Sequence, residues 1–287
     1  MTGVLGRVRH LAASSHPGPT ATVTVLATVL AVALGLGPLR IVVIALVVLV
    51  GQLSIGLAND WIDADRDRLV GRSDKPVARG LIPVSTVRTA AIACGLVAVA
   101  ASFLLGPAAG IAHTVLVASG WAYDAWLKRT PASVVPFIVA FGLLPAVVTL
   151  AGPTPVLPAA WAAATGAVFG VAIHFTNVLP DLADDRATGV VGLPHRLGRR
   201  VTGVLAFAAL AVAGGLVLGG QFGGPDPVGG WRAGLAVAGF AVTVGLAVVG
   251  AVIVVRRPPT RLLFRLVIVA SLVLVVELAL SGSRLAG

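Results

Sequence analysis

Residues 59–68 read N-D-W-I-D-A-D-R-D-R, and residues 177–186 read N-V-L-P-D-L-A-D-D-R. Asn59, Asp63 and Asp67 recur at intervals of four, and Asn177, Asp181 and Asp185 repeat that N-x3-D-x3-D interval. On a helix a step of four residues turns 400°, a drift of about 40°, so three oxygen-bearing side chains line one face of each segment. Asp60 joins the first face, since Asp67 lies nearly two turns beyond it. Like charges at such spacings repel by about 0.2–0.5 kcal/mol per pair on a plain helix surface. Hard divalent cations offset that repulsion. An all-oxygen set without histidine or cysteine points to Mg2+, with Mn2+ as the other candidate; Mg2+ typically binds through one or two carboxylates while a substrate phosphate completes its shell. Two such arms can close on a single diphosphate. Solvated helix ends beside arginines are the plain alternative, and the identical spacing of two segments argues against it.

The basic residues near these stripes suit the same chemistry. The segment R-S-D-K-P-V-A-R-G places Arg72, Lys75 and Arg79 just after the first stripe, and Lys128 and Arg129 end the run W-A-Y-D-A-W-L-K-R. Cations beside a metal–diphosphate complex stabilise charge accumulating on a leaving group. Tyr123 is the only tyrosine; an interfacial aromatic is usually an anchor, but its neighbours Asp124 and Lys128 favour a place in the site. His174 shares a face with Asn177, where a satisfied contact inside the bundle is as good a reading as contact with a substrate. Glu277 is an intramembrane acid and by default a functional suspect, although its place near a helix end puts headgroups within reach. The loop 221–230, Q-F-G-G-P-D-P-V-G-G, carries no evident chemistry.

The elements that must position these residues follow from composition. With 57% hydrophobic residues, 11% charged ones and a mean hydropathy of +1.01, the 287-residue chain is not a soluble globule, because typical domains carry about 25% charge. Most of its exterior must meet lipid. Apolar stretches long enough to span the hydrocarbon, about 20 residues each, occur at 20–37, 39–58, 86–105, 107–127, 132–151, 155–178, 201–220, 231–255 and 262–281. The expectation is an all-α polytopic membrane bundle of about nine transmembrane helices around a central cavity, as a single domain over 1–287. Abundant Gly and Ala within the spans fit helices that approach closely in lipid. The first apolar stretch, preceded by Arg7, Arg9 and His10, resembles a signal peptide, but another span follows at once and it reads as a retained helix.

Placing the N-terminus in the cytoplasm puts every one of the 21 Lys and Arg on that side except Arg40, Arg232 and Arg284, as the positive-inside rule requires. It also gives an external C-terminus. The net charge of +10 therefore reads as orientation in a cell membrane, with no nucleic-acid partner. Of the 11 acids, all but Asp226 and Glu277 fall on the same face. The single Cys94 excludes an internal disulfide and a thiolate metal cluster.

The stripe N-D-x-x-D-x-x-x-D, the K-P-V-A-R-G segment, the W-A-Y-D-A-W-L-K-R run and the second D-x-x-x-D, in this order among nine helices, resemble the UbiA superfamily of intramembrane prenyltransferases over essentially the whole chain. The resemblance implies two Mg2+ ions bridged by a prenyl diphosphate and transfer of the prenyl group through an allylic cation. It implies that Asn59, Asp60, Asp63 and Asp67 bind one metal–diphosphate arm and Asp181 and Asp185, with Asn177, the other. Asp60, Asp63, Asp67, Asp181 and Asp185 are then the metal ligands. Arg72, Arg79 and Lys128 hold diphosphate, and Tyr123 faces the reactive carbon. Asp124 departs from the resemblance, since the family more often has a small or hydroxylated residue after that tyrosine, and bears on the acceptor. The acceptor expected is an aromatic ring, as in quinone-type biosynthesis, or a lipid. Alternatives are a terpene cyclase with no acceptor and a phosphate-lipid transferase. A transporter fits poorly, since nearly all ionisable residues lie at one face, and the D-G-x-x-A-R signature of alcohol phosphotransferases is absent.

Overall fold

The computed structural model describes residues 3–223, 227–257 and 261–287; Asp226 and part of the basic loop at 256–261 lie outside them. The helices are α1 (Val4–Ser14), α2 (Pro17–Ala33), α3 (Pro38–Ile62), α4 (Ala64–Leu69), α5 (Val84–Ser102), α6 (Pro107–Ala125), α7 (Val135–Thr149), α8 (Ala160–Val178), α9 (Leu182–Ala187), α10 (Leu193–Leu197), α11 (Arg199–Phe222), α12 (Gly230–Arg256) and α13 (Arg261–Ser281). Among the described residues the one extended pairing is an isolated bridge between Pro158 and Ala286. Prolines start α2, α3 and α6, where the missing N–H removes no intrahelical bond.

Helices α2, α3, α5–α8 and α11–α13 coincide with the expected spans. By length and composition seven helices are apolar enough to cross a membrane, or eight if α1 and α2, bent by 72° at their junction, form one broken span. The expected span outside that set is α6, whose Gly, Ser, His, Trp, Tyr and Asp residues dilute its hydropathy. Large apolar side chains such as Leu39, Leu96 and Leu104 face outward, each about two-thirds exposed or more. With seven or more apolar helices presenting such faces to lipid, the chain is an integral membrane protein.

Without a hydrophobic force between helices in lipid, close approach depends on small residues. A Cβ on Gly166 would overlap the carbonyl of Phe141, and one on Gly170 that of Phe137. This G-x-x-x-G pair on α8 therefore lets the α7 backbone lie directly against it, which fixes where Phe137 and Phe141 point. On α11 and α12, Gly203 faces Val254 and Gly250 faces Phe207 with the same lack of space. The main core runs through α2, α3, α6, α7, α8, α11, α12 and α13. A smaller core of Leu57, Ala58, Ala64, Val77, Ile82, Val87 and Ala91 lies under the segment after α4 and holds it against the end of α3.

Candidate active site

The first acidic stripe does not lie on one unbroken helix. Helix α3 ends at Ile62, Asp63 has φ −90° and ψ 2°, and α4 begins at Ala64. The stripe survives the break because the i−4 hydrogen bonds continue through it: Asp63 N donates to Asn59 O at 3.0 Å and Asp67 N to Asp63 O at 2.8 Å. The second stripe crosses a larger interruption, a 3-10 turn at Leu179–Asp181 containing Pro180, before α9. Pro cannot donate to the helical ladder, so the expected single helix face becomes two short segments there.

Both stripes end at the same end of the bundle, joined by cations. Asp60, Asp63 and Asp67 are each 1% exposed, and none is left without a positive neighbour. Lys75 Nζ lies 3.0 Å from Asp60 Oδ1 and 2.8 Å from Asp67 Oδ2 and donates to Asn59 Oδ1 at 3.2 Å. Lys128 Nζ donates to Asp63 Oδ1 at 2.5 Å, with both side chains buried. Arg66 connects the arms, reaching Asp63 Oδ2 at 3.1 Å, Asp67 at 3.6 Å and Asp185 Oδ1 at 3.4 Å. Arg72 forms a second link, its Nε and Nη2 each donating to an oxygen of Asp74 at 2.9 Å and its Nη1 lying 3.6 Å from Asp181 Oδ2. The Arg72 donors hold the Asp74 carboxyl down at about 2, and Asp74 in turn raises the guanidinium further above its ordinary value. Burial alone would lower the Lys75 ammonium, yet Asp60 and Asp67 raise it above the ordinary lysine range.

Sequence reasoning left three members of this cluster unassigned. Arg66 was countable only as an orientation charge, although its place three residues after Asp63 was a signal. His16 caps α2 and its Nε2 lies 3.1 Å from Asp60 Oδ1. His195, 2% exposed, places Nε2 3.3 Å from Asp185 Oδ2 while its Nδ1 accepts from Gly192 N at 3.1 Å. Nothing in the sequence around either histidine announces a carboxylate partner. Arg79 is exposed and joins no ion pair among the described residues. Asp65 faces solvent with Arg68, and Asp184 is exposed.

Below this cluster a cavity of about 340 Å³ opens between α2, α3, α6, α7, α8 and α13. Its polar rim includes His16, Asn59, Asp124 and Asn177, while Leu26, Leu30, Phe141, Phe169, Leu274 and Leu278 line its depth. Tyr123 borders both this space and an adjoining pocket of about 110 Å³ beside Gln52. Its ring meets Phe137 edge-on at 5.0 Å and His174 at 5.5 Å, and Phe137 and His174 stack at 4.7 Å. His174 Nε2 lies 3.1 Å from Ser133 Oγ, so it is a packed polar contact of the bundle. Asn59 Nδ2 donates to Asp124 Oδ1 at 2.8 Å, which ties the departure at Asp124 to the first stripe. Glu277, in contrast, is 5% exposed and accepts at 3.2 Å from Gln221 Nε2; it faces α11 and α12 in the interior instead of the headgroups.

The donor set fits a hard divalent cation. Asp60 Oδ2 and both oxygens of Asp67 are buried and accept no hydrogen bond, although Lys75 neutralises Asp67 from 2.8 Å. No three Asp, Glu, His or Cys side chains among the described residues converge into a closed cage. A cation held there would take one or two carboxylates and complete its shell with phosphate and water.

Residues 20–277 match the sequence profile of the UbiA prenyltransferase family. The chain belongs to this family. A curated relative, digeranylgeranylglyceryl phosphate synthase of Korarchaeum cryptofilum (strain OPF8), is 30% identical over 152 residues, 52% of this chain and 53% of that protein. The chain thus spans about half the length of that relative in the match. Among solved structures, a UbiA homolog from Archaeoglobus fulgidus bound to GPP and Mg2+ superposes with a TM-score of 0.72 at 15% identity, over 94% of this chain and 98% of that one. The apo UbiA homolog from Aeropyrum pernix K1 gives 0.70 at 18% identity, over 91% and 96%. At such identities the likeness establishes the UbiA fold, a polytopic helical bundle.

Proposed function

We propose that this UbiA-family chain is a divalent-metal-dependent enzyme that transfers a prenyl group from an isoprenoid diphosphate to a lipophilic acceptor. The observation that carries the reading is the joining of both carboxylate arms, through Arg66 and Arg72, at the mouth of a cavity whose depth is apolar. The diphosphate would sit among charges and the chain among Leu26, Phe169 and Leu278. The first arm would hold one Mg2+ through one or two of the carboxylates of Asp60, Asp63 and Asp67, and Asp181 and Asp185 would hold a second, with Mn2+ able to replace them. Bound there, the metal would neutralise charge on the diphosphate oxygens.

The rest of the work falls to the chain's own groups. Lys128 and Arg72, now paired with Asp63 and with Asp74 and Asp181, are placed to turn their donors toward diphosphate oxygens as the carbon–oxygen bond breaks. Asn59 and Asn177 would orient the diphosphate from opposite arms. The rings of Tyr123 and Phe137 would face the allylic carbon, where a π-face favours positive charge, and the packed helices exclude water that would capture the cation. The acceptor's nucleophilic atom then bonds to that carbon and loses its proton. Arg79 is exposed and would have to turn inward to meet diphosphate.

A lipid acceptor of the glyceryl phosphate kind is favoured by the match to the Korarchaeum synthase. An aromatic acceptor is the second reading, favoured by the rings of Tyr123, Phe137 and Phe141 that line the cavity. The site is read as facing the cytoplasm, with the C-terminus outside, on the charge asymmetry alone. Purified protein incubated with Mg2+ and prenyl diphosphates of several lengths, with geranylgeranylglyceryl phosphate, with hydroxybenzoate or with neither, separates these readings by mass analysis of the lipids. A cyclised product from diphosphate alone would identify a cyclase. Asp63→Ala and Asp181→Ala should each abolish turnover in protein that still inserts; metal-dependent turnover retained in both would sink the assignment.

A further inference from the structure

His16 is the only non-glycine residue with positive φ among the described residues, at φ 52° and ψ 64°. Left-handed backbone at a side-chain-bearing residue persists only where the surroundings over-determine it, and the surroundings of His16 do so from two sides. The Ser15 carbonyl sits where a Cβ on Gly56 would be, so α3 and the α1–α2 elbow touch backbone to backbone. Thr20 Oγ1 donates to Ser15 O at 2.8 Å, fastening the first turn of α2 to the same carbonyl. The elbow itself turns the chain by 72° between α1 and α2. The result of this conformation is that the imidazole points across to α3 and places Nε2 3.1 Å from Asp60 Oδ1, leaving Asp60 Oδ2 buried and without a hydrogen bond.

We infer that His16 is a positioning residue for Asp60: the elbow is held in a left-handed turn so that the imidazole, beside Lys75 at the same Oδ1, fixes that oxygen and turns Oδ2 toward the metal–diphosphate. This rests on the reading of Asp60 as a metal ligand given above. Groups that hydrogen-bond a ligating carboxylate orient it, and their removal typically weakens metal binding or activity by about 10–100-fold. The first carboxylate arm is therefore completed by a segment more than forty residues earlier in the chain. An elbow position between α1 and α2, which looks like a mere connector, becomes part of the site.

The test is Mn2+ binding to purified full-length protein in lipid nanodiscs with inorganic diphosphate, followed by electron paramagnetic resonance, so that no turnover is needed. His16→Ala should raise half-saturating Mn2+ by about tenfold. His16→Gln, whose amide nitrogen can reach the Nε2 position, should restore most of the affinity. His16→Gly is the decisive variant, because glycine adopts the left-handed turn freely and should leave the thermal midpoint unchanged or raised while binding Mn2+ as weakly as His16→Ala. Wild-type affinity in His16→Gly would reduce the role of residue 16 to backbone shape and overturn the inference. So would unchanged Mn2+ affinity in His16→Ala alongside a loss in Asp60→Ala. Unchanged affinity in Asp60→Ala itself would remove the metal reading of Asp60, and the role of His16 with it.

Discussion

Replacing Lys128 by Met tests whether the cluster is held by paired charges or merely decorated by them. Lys128 Nζ and Asp63 Oδ1 are 2.5 Å apart with 4% and 1% of their side chains exposed, so the substitution strands a buried carboxylate. Removing one partner of a buried pair generally costs about 3–5 kcal/mol. Here Arg66 still reaches Asp63 Oδ2 at 3.1 Å, but it is shared with Asp67 and Asp185, so the expected loss lies at the lower end, about 3 kcal/mol. Asp63→Asn alone leaves the Lys128 ammonium buried beside a neutral amide and should also destabilise. In the double variant neither stranded charge remains, and the cycle should return a coupling of about 2 kcal/mol. The assay is equilibrium unfolding of wild type, both single variants and the double variant in the same mixed micelles without metal or diphosphate. A loss below about 1 kcal/mol in Lys128→Met, as for solvent-exposed pairs, or a double variant no more stable than the worse single one, would refute the idea that this pair is desolvated and coupled.

Lys75 gives a pH signature. Its folded-state value is raised above the ordinary 10.5 by Asp60 and Asp67, despite burial, which acts the other way. The stability it contributes is therefore fully present below 10.5 and is lost as pH rises through the raised value; Lys75→Met should be less stable than wild type at neutral pH, and the gap should narrow in alkaline unfolding measurements. A gap that widens with alkali would contradict this. At the other end of the bundle, Glu277→Gln keeps an acceptor for Gln221 and should stay within about 1 kcal/mol of wild type, whereas Gly239→Val, whose side chain meets the Glu277 carboxyl, should destabilise by about 1–3 kcal/mol. Micelle unfolding measures both, and a loss of Mg2+-dependent turnover in Glu277→Gln at unchanged stability would show that the acid does more than pack.

The expected spans and the observed helices agree because one-dimensional apolar runs bounded by Gly, Pro and charge are what a membrane helix requires, whatever its neighbours. The N-x3-D-x3-D spacing was legible for a related reason: an i−4 hydrogen bond repeats at the same interval, so Asn59, Asp63 and Asp67 stay aligned even though α3 breaks at Asp63. The break itself was not legible there, since no Pro or Gly marks it, while Pro180 in the second stripe could have been read as one. The depth of Glu277 along its helix is legible in the sequence, but the direction it faces depends on α11 and α12. The resemblance gives Arg79 the same diphosphate role as Arg72, but the loop turns Arg79 outward.

The chain's solvent, its helices and the oxygen chemistry of its two acidic stripes were determined by the sequence by itself, because composition and period act locally. Which cation meets which carboxylate was decided only by tertiary structure. Arg66 comes from α4, Lys75 and Arg72 from the segment after it, which the minor core holds against α3, and Lys128 from the turn after α6; their pairing with Asp60, Asp63, Asp67, Asp181 and Asp185 spans up to 119 residues. His16 shows the limit most clearly. Its contact with Asp60 needs a left-handed elbow that only the close approach of Gly56 to Ser15 permits, and close approach between distant segments is a property no linear pattern records.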